Sequence, residues 1–128
     1  MRDIAATAKI GKDVIIGKFV IIEDDVEIGD GTFIGDFTLI RSGSRIGKNC
    51  KIKSYNEIRN NVKIGDNSSF GSRCTLCADT VIGSNVDVKF GFVSTTLDFK
   101  KQVDLDAGAV GDGAIVGANV SLMPGASI

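Results

Sequence analysis

Every sixth residue from Ile4 to Val88 is large and apolar. The series runs Ile4, Ile10, Ile16, Ile22 and onward through Phe70, Leu76, Ile82 and Val88, fifteen positions in succession. Four residues after each stands a mostly smaller side chain: Ala8, Val14, Val20 and Val26, then Thr32, Thr38, Ser44, Cys50, Val62 and Ser68. A period of six matches neither the 3.6-residue helix nor a long alternating strand. It fits a short strand, a corner and another short strand, each strand turning one large residue inward.

A second period of eighteen lies over the first. Gly11, Gly29, Gly47, Gly65 and Gly83 recur at that spacing, as do Asp13, Gly31, Asn49, Asn67 and Asn85, and again Asp25, Gly43, Asn61 and Asp79. Glycine, asparagine and aspartate tolerate a left-handed backbone, so the Asx/Gly columns mark corners. A further column reads Phe19, Phe37, Tyr55, Arg73. Three hexads therefore close one triangular coil, with two Asx/Gly corners and one aromatic corner. Stacked coils pair as parallel strands, and five of them span about 24 Å at about 4.8 Å each. The expected fold is an all-β, single-stranded parallel β-helix filling residues 1–128 as one domain.

The pattern is expected to fail at Phe90 and to resume at Val110, Val116, Leu122 and Ile128. From Val88 to Val110 is not a multiple of six, so residues are inserted. The reading is regular coils over 4–93, a loop over 94–109 and a terminal coil over 110–128. Long excursions from a rigid scaffold are often functional; a tolerated surface insertion is the plainer alternative. Ile128 opens a new hexad, so either a partner covers that end or the natural chain continues.

The residue before each inward aliphatic is expected to point outward. Early coils place Ile15, Ile21, Phe33 and Leu39 there; elsewhere the same position is Glu27, Arg45, Lys51, Glu57 and Lys63. An apolar outward patch beside a charged remainder reads as a self-association surface. The net charge of −1 provides no attraction toward nucleic acid or an anionic membrane. No apolar run is long enough to span a bilayer and the N-terminus lacks a signal-peptide core, so a cytoplasmic, soluble protein is expected. Three irregularly placed cysteines do not form a disulfide framework. Histidine is absent altogether, which removes the commonest general base and metal ligand.

The hexad [Ile/Val]-Gly-x-x-[small]-x resembles the left-handed hexapeptide-repeat family, and the handedness is taken from that resemblance. Fold alone leaves acyltransferases, nucleotidyltransferase tails and scaffold proteins open. A γ-class carbonic anhydrase, which needs histidine, is excluded. Two segments narrow the choice. The stretch NVDVKFGFVSTTLDFKK and the later VGANVSLMPG (Val116–Gly125) are similar to the end of the β-helix domain in sugar-1-phosphate nucleotidyltransferases. The resemblance implies an acetyltransferase using acetyl-CoA on an amino sugar or sugar nucleotide, or else a noncatalytic assembly or regulatory module. It also implies a homotrimer, with acetyl-CoA in a groove between subunits and no metal.

Carried over position by position, Gly91, Ser94 and Thr95 fall on the FGAGT-like stretch, where Phe92 and Val93 depart from the family's small residues. Gly117, Ala118 and Ser121 fall on the later coil, and Lys100 and Lys101 are the cations available to CoA phosphates. Ser72 stands roughly where the family carries its catalytic histidine. Serine is a poor base for an ammonium acceptor, so Asp98 on the loop is the first candidate carboxylate; Asp79 reads as a corner residue. No lysine or arginine lies between Gln102 and Ile128, which argues against CoA binding by this chain alone. Cys50 and Cys74 read as core, whereas Cys77 falls at an outer corner, where exposure is expected. Arg41 stacked over Arg59 reads either as a phosphate site or as a solvated ladder with Glu23, and Arg73 beside Tyr55 as a cation–π pair. Asn56 breaks the small-residue rule.

Overall fold

A computed structural model of the chain describes residues 2–95, 97–98, 103–104 and 108–128. Short parallel strands stack into three flat faces, with seven strands on the first face and six on each of the others among the described residues. One coil runs Val20–Ile22 on the first face, Glu27–Ile28 on the second and Phe33–Ile34 on the third. In the regular coils each strand pairs with the one eighteen residues on, as Glu57 does with Thr75 and Lys63 with Val81. The chain is a left-handed parallel β-helix.

The hexad positions become the core. Ile22, Ile34, Ile40, Ile52, Ile58 and Ile82 are buried, with Val20, Val26, Val62 and Val86 filling the smaller sites between them. Burying a side chain of this size contributes roughly 1.5–3 kcal/mol, and the fold repeats that gain at every strand. Corners are left-handed as the columns require. Positive φ occurs at Asp13, Asn49, Asn67, Asn85 and Gly31, and equally at Phe19 (56°), Phe37 (59°), Tyr55 (62°) and Arg73 (61°).

Inward hydroxyls and one amide cross-link the coils. Thr32 Oγ1 donates to the Gly47 carbonyl at 2.7 Å and accepts the Cys50 N–H at 3.1 Å. Ser44 does the same with Arg59 O and Val62 N, and Ser68 with Gly83 O and Val86 N. These bonds pair corner backbone groups that no strand ladder reaches. Asn56 extends the device. Its Nδ2 donates to Lys53 O (2.8 Å) and Gly71 O (3.0 Å), while Oδ1 accepts the Cys74 N–H (2.7 Å).

The frame does not fail at Phe90. It runs on to Ser94, with the two inward volumes exchanged: Phe92 fills a small site and Ser94 a large one, and both are buried. Val93–Ser94 continues the first face and pairs with Ser121–Leu122. The second face resumes at Ala109–Val110, which pairs with Val81–Ile82. That pairing spans 28 residues where regular coils span 18, as the bonds from Ser84 N to Asp112 and from Lys48 N to Asp66 record. The insertion is therefore ten residues, confined to the corner between the first and second faces. Its described part is an antiparallel ribbon of Leu97–Asp98 with Val103–Asp104.

Candidate functional site

The third face and its adjoining corner carry a trough whose origin is a contrast in side-chain size. The fourth coil presents Ser69, Gly71 and Ser72 outward. The coil below presents Lys51, Lys53 and Tyr55, and the coil above presents Asp87, Lys89 and Phe90. Strand pairing fixes this order, with Ser69 opposite both Lys51 and Asp87. A short row between two long rows leaves a depression of about 920 Å³, closed at one end by Arg73 and bordered by Ala118.

Gly71 is required twice over. A Cβ there would sit 2.6 Å from the Phe90 backbone nitrogen, so only glycine lets the coils approach. Its missing side chain also leaves the floor open between Lys53 and Lys89, which flank it two coils apart, about 9.6 Å along the axis. Four cations face one carboxylate, Asp87, in a chain whose net charge is −1. Lys89 Nζ lies 2.8 Å from Asp87 Oδ2, an exposed pair worth little. Among the described residues neither Lys51 nor Lys53 has a carboxylate within ion-pair distance. Arg73 lies over the Tyr55 ring at 5.4 Å, continuing a stack in which Phe19, Phe37 and Tyr55 follow at 5.1 and 5.0 Å.

Among the expected site residues, Ser72 is half-buried in the trough floor and Ala118 stands at its edge. Gly91 (φ 75°) occupies the corner one coil above Arg73. Gly117 follows Lys89 in the next coil, and the exposed Ser121 pairs with Val93. Thr95 donates its N–H to Leu122 O at 3.1 Å. Ser94 departs from expectation: its hydroxyl accepts the Cys77 N–H at 3.0 Å and lies 2.9 Å from Thr80 Oγ1, inside the coil. Cys77 is likewise buried, its thiol 3.1 Å from Thr80 Oγ1, because this cluster replaces an open corner at the base of the insertion. Asp98 lies on the ribbon, at a different corner from Ser72 within one chain. Lys100 and Lys101 lie outside the described residues.

The trough's cations come from the third, fourth and fifth coils and none from the segment after Gln102. The sequence carried the signal, in the column Gly35, Lys53, Gly71, Lys89, where lysine and glycine alternate. Inward and corner columns alone do not reveal it. Elsewhere, Glu23 reaches Arg41 at 3.9 Å and Glu57 pairs with Arg59 at 2.7 Å, so the Arg41–Arg59 column is an ion-pair ladder. Burial pushes the thiols of Cys50 and Cys74 above their ordinary range.

The β-helix is shared with solved structures. A Bacillus cereus protein described as an acetyltransferase superposes with a TM-score of 0.81 at 18% identity, over 98% of this chain and 71% of that one. UDP-N-acetylglucosamine O-acyltransferase (LpxA) from Moraxella catarrhalis superposes at 0.71 with 20% identity, over 92% of this chain and 56% of that one. The UDP-N-acetylglucosamine acyltransferase of Campylobacter jejuni gives 0.63 at 16%, over 94% and 64%. This chain thus spans under two thirds of both acyltransferases, and at these identities the likeness is one of fold. No curated protein matches the chain in sequence. Residues 109–124 match the hexapeptide repeat of succinyl-transferase. Residues 2–97, three quarters of the chain, match the GMPPB C-terminal domain, and the chain belongs to that family.

Proposed function

We propose that the chain is an acyltransferase that uses acyl-CoA, most simply acetyl-CoA, and acylates an amino sugar or sugar nucleotide held in the trough. The observation that carries this reading is the cationic trough with a serine hydroxyl in its floor. A phosphate-bearing acceptor finds cations there and a hydroxyl to orient it. The chemistry needs one further group. An acceptor ammonium must lose a proton before its nitrogen attacks the thioester, and the Ser72 hydroxyl makes no hydrogen bond to a base among the described residues. Asp98 is the proposed base. Because Asp98 and Ser72 belong to different corners of one chain, the reading requires a neighbouring subunit to bring them together. That requirement is the reason to propose a homotrimer, with acyl-CoA lying in the groove between chains beside Gly91, Thr95, Gly117, Ala118 and Ser121. Lys100 and Lys101 remain the proposed partners of its phosphates, and the cytoplasm the proposed compartment.

Titration calorimetry with acetyl-CoA, run beside a solution mass measurement, tests the donor. Asp98→Asn is expected to abolish turnover and leave the trimer intact; full activity in that variant removes Asp98 from the mechanism. Coexpressing Asp98→Asn with Ser72→Ala chains tests the shared site. Random mixing in a closed ring rebuilds about a quarter of the sites, so about that share of activity should return. No recovery from the mixture would place the two residues in separate sites.

A second reading has its own support. Membership of the GMPPB C-terminal domain family and the lack of any histidine favour a noncatalytic assembly or regulatory module. A trimer that takes up no acetyl-CoA would decide for it.

A further inference from the structure

The two faces that meet at the aromatic corner carry matching columns. Outward on the third face stand Ile15, Phe33, Lys51 and Ser69. Outward on the first face, six residues after each, stand Ile21, Leu39, Glu57 and Thr75. The first two pairs are apolar with apolar, the third is cation with anion and the fourth hydroxyl with hydroxyl. Within one chain the members of a pair stand on different faces and point apart. Rotation about an axis parallel to the rod brings the first face of one chain against the third face of the next and leaves heights unchanged. Each coil rises about 4.8 Å over eighteen residues, so the members of a pair then face each other within about 1.6 Å of one level. Lys51 lacks a carboxylate within ion-pair distance among the described residues. Glu57 holds Arg59 at 2.7 Å through Oε1, and a carboxylate can accept at both oxygens.

We infer that copies of this chain pack around the aromatic corner in a closed ring with parallel axes, the third face of each seated against the first face of the next, and Lys51 paired with the partner's Glu57. The interface is heterologous, each chain offering a different surface to each neighbour. Phe19, Phe37 and Tyr55, 47–52% exposed at the corner between the two faces, then converge on the ring axis. A two-fold alternative fails on charge. Joining two first faces antiparallel about the midpoint of Ile21 and Leu39 sets Asp3 against the partner's Glu57. The matching stops at the next pair, Asp87 with Val93, so the contact ends below the upper rim of the trough. Lys53, Lys89 and Arg73 are left to a ligand. The ribbon leaves the coil after Ser94, at the end of a first-face strand. The neighbour whose first face meets a given trough is therefore the one whose ribbon stands beside it, which names which of two neighbours supplies Asp98. The inference rests on the acyl-transfer reading for the number of subunits alone; the pairing of faces does not depend on catalysis.

The test is solution mass by light scattering for the wild-type chain, Lys51→Glu, Glu57→Lys and the double variant, with cysteine cross-linking beside it. The wild-type chain is expected to be a trimer. Each single reversal sets like charges in contact and should weaken assembly about tenfold; the double variant restores an opposite pair and should recover most of that loss. Lys51→Cys and Glu57→Cys chains, coexpressed and treated with a short bismaleimide, should join to each other, and neither should join to itself. The natural cysteines are buried, so the wild-type chain is the unreacted control. Both positions lie outside the core, and circular dichroism of the variants should be unchanged. Self-joining of either cysteine variant in place of the mixed product would overturn the ring in favour of a two-fold dimer. A trimer in which the double variant is no better than the worse single overturns this pairing and leaves the trimer of the acyl-transfer reading standing. A monomeric or dimeric wild-type chain overturns both. Rescue and mixed cross-linking in a trimer that takes up no acetyl-CoA would uphold the pairing while acyl transfer falls.

Discussion

Asn56 shows at the residue scale why a polar side chain belongs in an apolar coil. Its amide satisfies two carbonyls and one N–H of corners in successive coils. Alanine there would leave three buried backbone groups unpaired, each costing about 1–3 kcal/mol before any relaxation. Asn56→Ala is expected to lose about 3 kcal/mol or more in urea denaturation, against well under 1 kcal/mol for an exposed change such as Lys63→Ala. The exposed aromatic corner follows a different logic. A left-handed backbone at Phe37 costs roughly 1–2 kcal/mol, and its two ring stacks return roughly 0.5–1.5 kcal/mol each. The two nearly cancel, so folding alone does not select phenylalanine over asparagine at that corner. The core thiols add a pH dependence. Desolvation raises the pKa of Cys50 above its ordinary 9.0, so the native state holds that proton more firmly than the unfolded chain. The resulting stability is complete below the unfolded value and is lost as pH rises through the folded one. The urea midpoint should therefore fall as pH rises past the thiol's ordinary 9.0, and fall less in Cys50→Ala.

The insertion is the informative element. It adds ten residues between the first and second faces and leaves both neighbouring strands in phase. Excising residues 97–106 restores the spacing of eighteen. The shortened chain is expected to fold and to keep its stability within about 1 kcal/mol, because loop length costs little. Its acyl transfer should disappear with Asp98. Retained turnover would show that the ribbon carries no chemistry. The expected break at Phe90 was misplaced for a definable reason. Hexad reading assumes that the large residue takes the large site, and here Phe92 and Ser94 have exchanged volumes while the backbone continues. The trough went unseen for a related reason. It is made of small outward residues (Ser69, Gly71, Ser72) between large ones, so only comparison of residues eighteen apart on the outer surface exposes it. Core and corners were legible in the order of residues because each is a column of one chemical type; the site is a difference between columns.

For the whole molecule, one group of outward apolar residues lies together in the N-terminal coils. Ile15, Phe33, Phe19, Phe37 and Ile21 are 39–61% exposed around the corner between the third and first faces. A patch of this kind on a charged surface is what self-association covers. Phe33→Glu together with Ile21→Glu should convert the proposed trimer to monomers by light scattering while leaving the β-strand circular dichroism unchanged. Loss of turnover in that monomer, with Ser72 and Asp98 both intact, would be the signature of a site built between chains. A consequence for how such a chain changes over generations follows from the strand spacing. Each strand bonds only the strands one turn away, so a tandem duplication of any eighteen consecutive residues within the regular coils leaves every downstream register unaltered and lengthens the rod by about 4.8 Å. Growth by whole turns is silent to the rest of the molecule, whereas a gain or loss of one residue shifts every later side chain unless a bulge absorbs it. The lineage of such a protein is therefore free to vary its length in quanta, and the trough can be carried nearer to or farther from either end without being rebuilt.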